Sequence, residues 1–414
     1  MASATTQYYN GDGRDGALNV TSSTNITYSG DTTVDASSSS GQKVLNVTAT
    51  TGFSTGDMIM IYRIDTGVYE VHIVDTVQAG VSLTLVDNLV ATWAPSSKYV
   101  LRMPQYTTVA ISVSQTLSTD HGSMLLAFAC SGAISGLGNI SMGGKGYAGG
   151  AGTPWQSLAG TVATAGSGPG GGGAGQTGYG GYDYSAGGGA GKNGTGGNGT
   201  GYAGLTPGAG GSSYSGFRPG SGGGGGGANQ GSHIPGASGG TGGGCIYVRA
   251  GSVNMPSGGG FQCQGTSGGN AGGQAGGGGG GSAGEIYLLT GEMTLSSTGV
   301  FYAPGGVGGA QSSSAIGGGG TTGHTNIDCV STNYVPTGAT MEYLDGYYDV
   351  GLRIREEGET VIPLCETVTA SHALRIYDGS TTYGIALVAT SDDSALNTRI
   401  DDGVSIKALK KQIL

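Results

Sequence analysis

Residues 244–265 read GCIYVRAGSVNMPSGGGFQCQG, and residues 284–305 read GEIYLLTGEMTLSSTGVFYAPG. The two align without a gap. Ile246 falls on Ile286, Tyr247 on Tyr287, Gly251 on Gly291, Phe261 on Phe301 and Gly265 on Gly305. Val253 and Met255 fall on Met293 and Leu295. A looser copy lies at 126–144, LAFACSGAISGLGNISMGG. Each copy reads as a strand, a tight turn at Gly, a second strand, a turn and a third strand. Apolar residues alternate within each strand, as a strand with one buried face requires. Such a unit cannot bury its face alone, so the copies are expected to stack as a β-solenoid or a layered β-sandwich. A propeller is disfavoured, because three copies cannot close a ring and no WD-type signature is present.

Glycine-rich segments link the units: Gly143–Gly243, Thr266–Ala283 and Gly305–Gly320, including the runs Gly222–Gly227 and Gly276–Gly281. Of the 414 residues, 92 are glycine, far above ordinary usage. Flexible linkers are one reading. The other is polyglycine II, in which extended threefold backbones pack side by side because no Cβ separates them. A structureless loop of such length inside a compact domain is improbable, which favours the ordered reading. Tyr179, Tyr182, Tyr184, Tyr202, Tyr214 and Phe217 punctuate the longest segment. They are candidates either for packing against glycine layers or for receptor contact, since an aromatic ring offers broad contact area at low entropic cost.

Outward from the repeats, residues 1–118 read as a small antiparallel β-domain. Its expected strands are Gln42–Thr48, Met58–Tyr62, Val68–Val74, Val81–Val86 and Val109–Val113. Residues 119–330 form the repeat body. In residues 331–414, Gly351–Leu364, Ala373–Leu387 and Thr398–Leu409 read as three related β-hairpins around acidic-glycine turns. Arg353, Arg375 and Arg399 recur at the same place in each, where a repeated ion pair is the plain expectation. The expected fold class is all-β throughout: an antiparallel N-terminal domain, a β-solenoid or layered sandwich with polyglycine II segments, and C-terminal hairpin repeats.

The net charge is −10 and no basic run exists, so nucleic-acid binding is not expected. No apolar stretch is long enough to span a membrane as a helix, and the N-terminus lacks the basic and apolar regions of a secretory signal. Cys130, Cys245, Cys263, Cys329 and Cys365 are scattered and odd in number, which suggests buried free thiols. No Walker, HExxH or nucleophile-elbow pattern stands in a credible context, the five histidines lie far apart, and the rungs lack paired carboxylates. No enzyme activity and no cofactor are expected. Asp12 and Asp15 in the opening glycine-rich turn are a weak calcium candidate without a ligand set behind them.

The hairpins Leu352–Leu364, Leu374–Leu387 and Arg399–Leu409 resemble repeats that end many tailed-phage structural proteins. The opening Gly11–Val20 and the Gly132–Gly146 stretch resemble phage tail fibres and spikes. The glycine runs between short β-segments are similar to phage tip adhesins with a polyglycine II receptor-binding domain. The resemblance implies a virion-surface protein made in the host cytoplasm, a homotrimer joined to other virion proteins. It implies host attachment through a surface glycan or protein, without membrane insertion. Two alternatives stay open: a capsid-decoration, head-fibre or filament-forming protein, and a β-solenoid polysaccharide depolymerase.

Overall fold

The computed structural model describes residues 10–331 apart from 96–97, 179–183, 202–204, 256–258, 296–299, 311–315 and 324, together with the strands of the C-terminal region. The described chain is all-β. Its first strands are β1 (Ala17–Val20), β2 (Thr24–Asn25), β3 (Asp31–Thr32), β4 (Val44–Asn46), β5 (Met58–Arg63), β6 (Tyr69–Gln78), β7 (Ser82–Leu85) and β8 (Lys98–Met103). Next come β9 (Gln105–Tyr106), β10 (Thr108–Ile111), β11 (Thr116–Ser118), β12 (Leu125–Gly136), β13 (Asn139–Ser141), β14 (Cys245–Met255) and β15 (Gly260–Gln262). β16 (Ile286–Leu295), β17 (Val300–Tyr302) and β18 (Thr325–Ser331) complete the body. The C-terminal strands are β19 (Leu352–Glu356), β20 (Glu359–Leu364), β21 (Leu374–Tyr377), β22 (Thr382–Ala386), β23 (Arg399–Asp401) and β24 (Ile406–Ala408).

The sequence repeat is a parallel ladder. β14 pairs with β16 in the register of the alignment, Ile246 opposite Ile286 and Val253 opposite Met293. The looser copy pairs as well, Leu126 opposite Ile246 and Ile140 opposite Phe261. One sheet runs β1-β10-β12-β14-β16-β18, with β9 beside β12, and a second runs β2-β11-β13-β15-β17. Parallel, in-register pairing puts like residues on top of each other. Tyr247 and Tyr287 stack at 5.3 Å between ring centroids, and so do Phe261 and Phe301. The turn expected at Gly251 is instead a point inside one continuous strand. Where β12 faces it, the register slips between Cys130 and Ala133, which marks a bulge.

The antiparallel sheet, β3-β8-β5-β6-β7-β4, is inserted between β2 and β10. β5 has two buried faces. Met58, Met60 and Tyr62 join the ladder's core, while Ile59 and Ile61 join a second core with Leu45, Leu83, Leu85 and Trp93. The first half of β14, Cys245–Ala250, is correspondingly buried on both faces, whereas Val253, Asn254 and Met255 alternate in and out. The expected strand Val109–Val113 corrects to β10, which pairs in parallel with β1 and β12 and is a rung of the ladder. Local β-propensity is the same for either sheet, so only the partner distinguishes them. The C-terminal strands form three sequential antiparallel hairpins, Leu352 opposite Leu364, Leu374 opposite Ile385 and Arg399 opposite Ala408. The side chains of Arg353, Arg375 and Arg399 lie outside the described residues.

The glycine-rich segments form an ordered bundle with the bonding pattern of polyglycine II. Along Gly222–Gly227 the partner changes at every residue and returns every third. Gly222 and Gly225 donate to the carbonyls of Ser167 and Thr164, Gly223 and Gly226 to Gly240 and Ala237, and Gly224 and Gly227 to Gly188 and Ser185. The carbonyls of the same segment accept from Gly172 and Gly175, from Gly150 and Thr153, and from Gly279 and Gly276. A threefold backbone turns each successive N–H by about 120°, so one segment can bond to neighbours all around it. A Cβ at Gly222, Gly224 or Gly225 would overlap the carbonyl oxygen of Ala148, Gly173 or Ala151. The glycine is therefore a packing requirement.

Candidate functional site: the loop end of the bundle

The bundle has a root, against the ladder, and an end where its segments reverse. At the root, Lys192 Nζ meets Glu285 Oε1 at 3.2 Å, with both side chains buried. Lys192 also donates to the Arg218 carbonyl. The Tyr214 ring lies 5.4 Å from Lys192 Nζ and 5.5 Å from the Arg218 guanidinium, and its hydroxyl donates to the Pro219 carbonyl at 2.6 Å. Burial pushes the Glu285 carboxyl above its ordinary value, against the opposing pull of Lys192. Phe217 tucks between sheets, 5.1 Å from Tyr69 and 6.1 Å from Tyr247. Burial also pushes the Tyr214 hydroxyl and the Cys245 thiol up to about 12. Cys130, Cys245 and Cys263 are buried free thiols.

At the far end the loops are tied to one another. Gly160 N–H donates to the Thr177 carbonyl at 2.8 Å, Thr206 N–H to Gln176 Oε1 at 3.2 Å, and Ser185 Oγ to the Thr206 carbonyl at 2.8 Å. Asn229 and Ile234 exchange backbone hydrogen bonds across a tight loop, and Ser232 N–H donates to Asn229 Oδ1 at 3.1 Å. Ser232 Oγ donates to Gln274 Oε1 at 3.1 Å, linking that loop to 270–275. Thr200 and Ile316 join the last pair, with Ile316 N–H donating to Thr200 Oγ1 at 2.7 Å. Among the described residues of this end there is no Asp, Glu, Lys or Arg. The surface is instead apolar and amide-bearing. Trp155 packs on His233 at 4.8 Å, and Leu158 is 74% exposed, with Val162 and Ile316 also exposed.

The candidate aromatic residues separate on this map. Tyr184 is fully buried beside Ala186, and Phe217 is buried at the root, so neither ring offers a face to a receptor. Both fill space that glycine backbones cannot. Tyr214 is half-buried at the root, held between two cations. Tyr179, Tyr182 and Tyr202 lie outside the described residues; Gly178, Tyr184, Gly201 and Leu205, which bracket them, belong to the loop end. Composition hid Trp155 and His233 because they are single residues in separate loops. The one available signal was the rarity of tryptophan, of which the chain has two.

Asp12 and Asp15, the calcium candidates without a ligand set, take cationic side chains as partners. Arg14 pairs with Asp12 at 2.7 Å and Arg102 with Asp15 at 2.9 Å, and both cations reach Asp57. The carboxylates answer guanidinium groups, and no cluster of metal-ligating side chains occurs among the described residues. Nor is any helix there long and apolar enough to cross a membrane.

No protein-family profile matches the chain, and no curated protein is significantly similar to it. Among solved structures, a tailspike of the Acinetobacter baumannii bacteriophage AP22, determined with a capsular saccharide of that bacterium, is similar at a TM-score of 0.21 and 11% identity. The match covers 81% of this chain, and the chain spans 61% of the tailspike's length.

Proposed function

We propose that this chain is a surface-attachment component of a tailed-phage virion, a part of a tail fibre or spike. In this reading the ladder and polyglycine bundle are a stiff support, and the loop end meets a host-surface glycan or protein. The observation that carries it is the architecture of that end. Loops from distant parts of the chain are gathered, cross-bonded and presented on a backbone-only bundle, with exposed Trp155 and Leu158 and no formal charge among the described residues. Rigid scaffolds that display loops are the common design for recognition. Association as a homotrimer with other virion proteins belongs to the same reading.

The test is binding of purified, labelled protein to a panel of bacterial strains, alongside light scattering for its mass. Saturable binding to particular strains, lost when residues 154–162 are replaced by a Gly-Ser loop of equal length, is the expected result. A folded protein that binds no strain, or whose binding ignores that replacement, overturns the reading. Shortening of the purified surface polysaccharide on incubation would reassign the chain as a depolymerase. A concentration-dependent open polymer without cell binding would reassign it as a decoration or filament protein.

A further inference from the structure

The loop end contains a contiguous run of groups from three loops. Trp155 comes from the first, Ser232 and His233 from the second, and Gln274 from the third. The Trp155 and His233 rings meet at 4.8 Å with their planes inclined at 54°. Trp155 keeps 38% of its surface exposed, and His233 is exposed as well. His233 sits at φ 57°, a left-handed conformation uncommon for non-glycine residues. Here the Asn229–Ile234 backbone bonds close the loop around it. Next to it the Ser232 hydroxyl donates to Gln274 Oε1, which leaves the amide NH2 group with its two donors outside that bond. Gln156, Ser157 and Gln230 lie in the same loops.

Resting on the attachment reading, we propose that Trp155, His233, Ser232 and Gln274 form a subsite for an uncharged sugar residue of a host-surface glycan. A pyranose presents an apolar C–H face and a rim of hydroxyls. The first is matched by an exposed indole, the second by the Gln274 NH2 group as donor and the Ser232 oxygen as acceptor, its one hydrogen being committed to Gln274. The four groups themselves carry no carboxylate, ammonium or guanidinium, and their ring face and neutral polar atoms match a neutral sugar. A phosphorylated or carboxylated one would be met by Lys or Arg. A protein partner would more commonly be engaged by Arg together with aromatic anchors.

The chain has two tryptophans, and Trp93 is only 1% exposed. Its fluorescence is an internal reference, so a change on adding sugar reports Trp155. The experiment takes a strain that the protein binds. Its neutral surface polysaccharide, extracted and fragmented to oligosaccharides, is titrated into wild type, Trp155→Ala, Trp155→Phe and Gln274→Ala. The expected result is a saturable shift of the exposed-Trp emission and protection from acrylamide quenching. Affinity should fall at least tenfold in Trp155→Ala and Gln274→Ala and be partly kept in Trp155→Phe, with unchanged melting temperatures. Periodate treatment of the cells should abolish binding. If wild type binds the cells while the emission does not change and Trp155→Ala binds as well, the subsite is wrong and the attachment reading stands. If cell binding survives periodate but is lost after protease, the receptor is a protein and the sugar assignment is overturned. If no strain is bound, the attachment reading itself has failed.

Discussion

The ladder and the glycine bundle solve the same problem with opposite materials. In the ladder, side chains such as Phe128, Ile246 and Phe261 fill the space between sheets, and removing their apolar surface from water supplies the stability. In the bundle there is almost no side chain to bury. Ordering a glycine backbone costs about 1–2 kcal/mol, and glycine loses the most freedom of any residue. Against this stand a net hydrogen bond of about 0.5–1.5 kcal/mol and close Cα–H···O contacts of about 0.5–1 kcal/mol each. These nearly cancel, so the bundle depends on every neighbour being in place and on its anchorage at the root. The ladder tolerates small changes in shape but not lost volume; the interior of the bundle tolerates no added volume.

The sharpest way to break that contrast is to add one methyl group. Gly224→Ala would drive its Cβ into the Gly173 carbonyl. The variant should lose the folded bundle, seen as rapid proteolysis between residues 143 and 243. Gly319→Ala has open space and an ordinary backbone, and should melt within about 0.5 kcal/mol of wild type. If both variants behave alike, the glycines are not there for packing.

Next in size is Phe128→Ala in the ladder, which should cost about 3–5 kcal/mol in a denaturant titration. At the junction, Lys192→Met leaves Glu285 buried without its cation and should cost about 3–5 kcal/mol. Lys192→Met with Glu285→Leu should recover most of that loss, because an apolar pair of similar size can replace a buried ion pair. Failure of the double variant to recover would mean that the pair also orders the root geometrically.

The smallest effect concerns acid stability of the antiparallel sheet. Burial pushes the Glu70 carboxyl up, but hydrogen bonds from His72 and from the Val90 and Ala91 amides hold it below its ordinary 4.5. A carboxyl depressed in the folded state contributes stability that is present above 4.5 and lost as the pH falls through the lowered value. Glu70→Gln should therefore flatten the acid limb of the stability–pH curve, read by melting temperature between pH 5 and acid unfolding.

Much of the ladder was legible because its information lies in side chains. The fixed offset between Ile246 and Ile286 recurs as the pairing register. Polyglycine packing was also foreseeable, since glycine at this density has few other ordered forms. Which segment lies beside which was not, because a backbone without side chains carries no pattern that names its neighbour. The misplacement of Val109–Val113 has another cause. Its partner β1 is separated from it by the whole inserted sheet, and nothing in a Val-rich strand declares whether its neighbour runs parallel. For Tyr184 and Phe217 the sequence left packing and receptor contact equally open; both rings are buried, in gaps that glycine backbones leave and that no local pattern marks. The contact of Trp155 with His233 was illegible because it exists only once separate loops are brought together.

The threefold rotation of hydrogen bonds along Gly222–Gly227 restricts how such a protein can evolve. Inserting or deleting three residues in a bundle segment returns each following N–H to its own neighbour. A change of one or two residues would aim every later bond at the wrong one. Length changes that are not multiples of three are therefore channelled into the loops at the far end, where register carries no penalty. A lineage built on this scaffold can vary in length at its loop end, while its support changes only in whole turns.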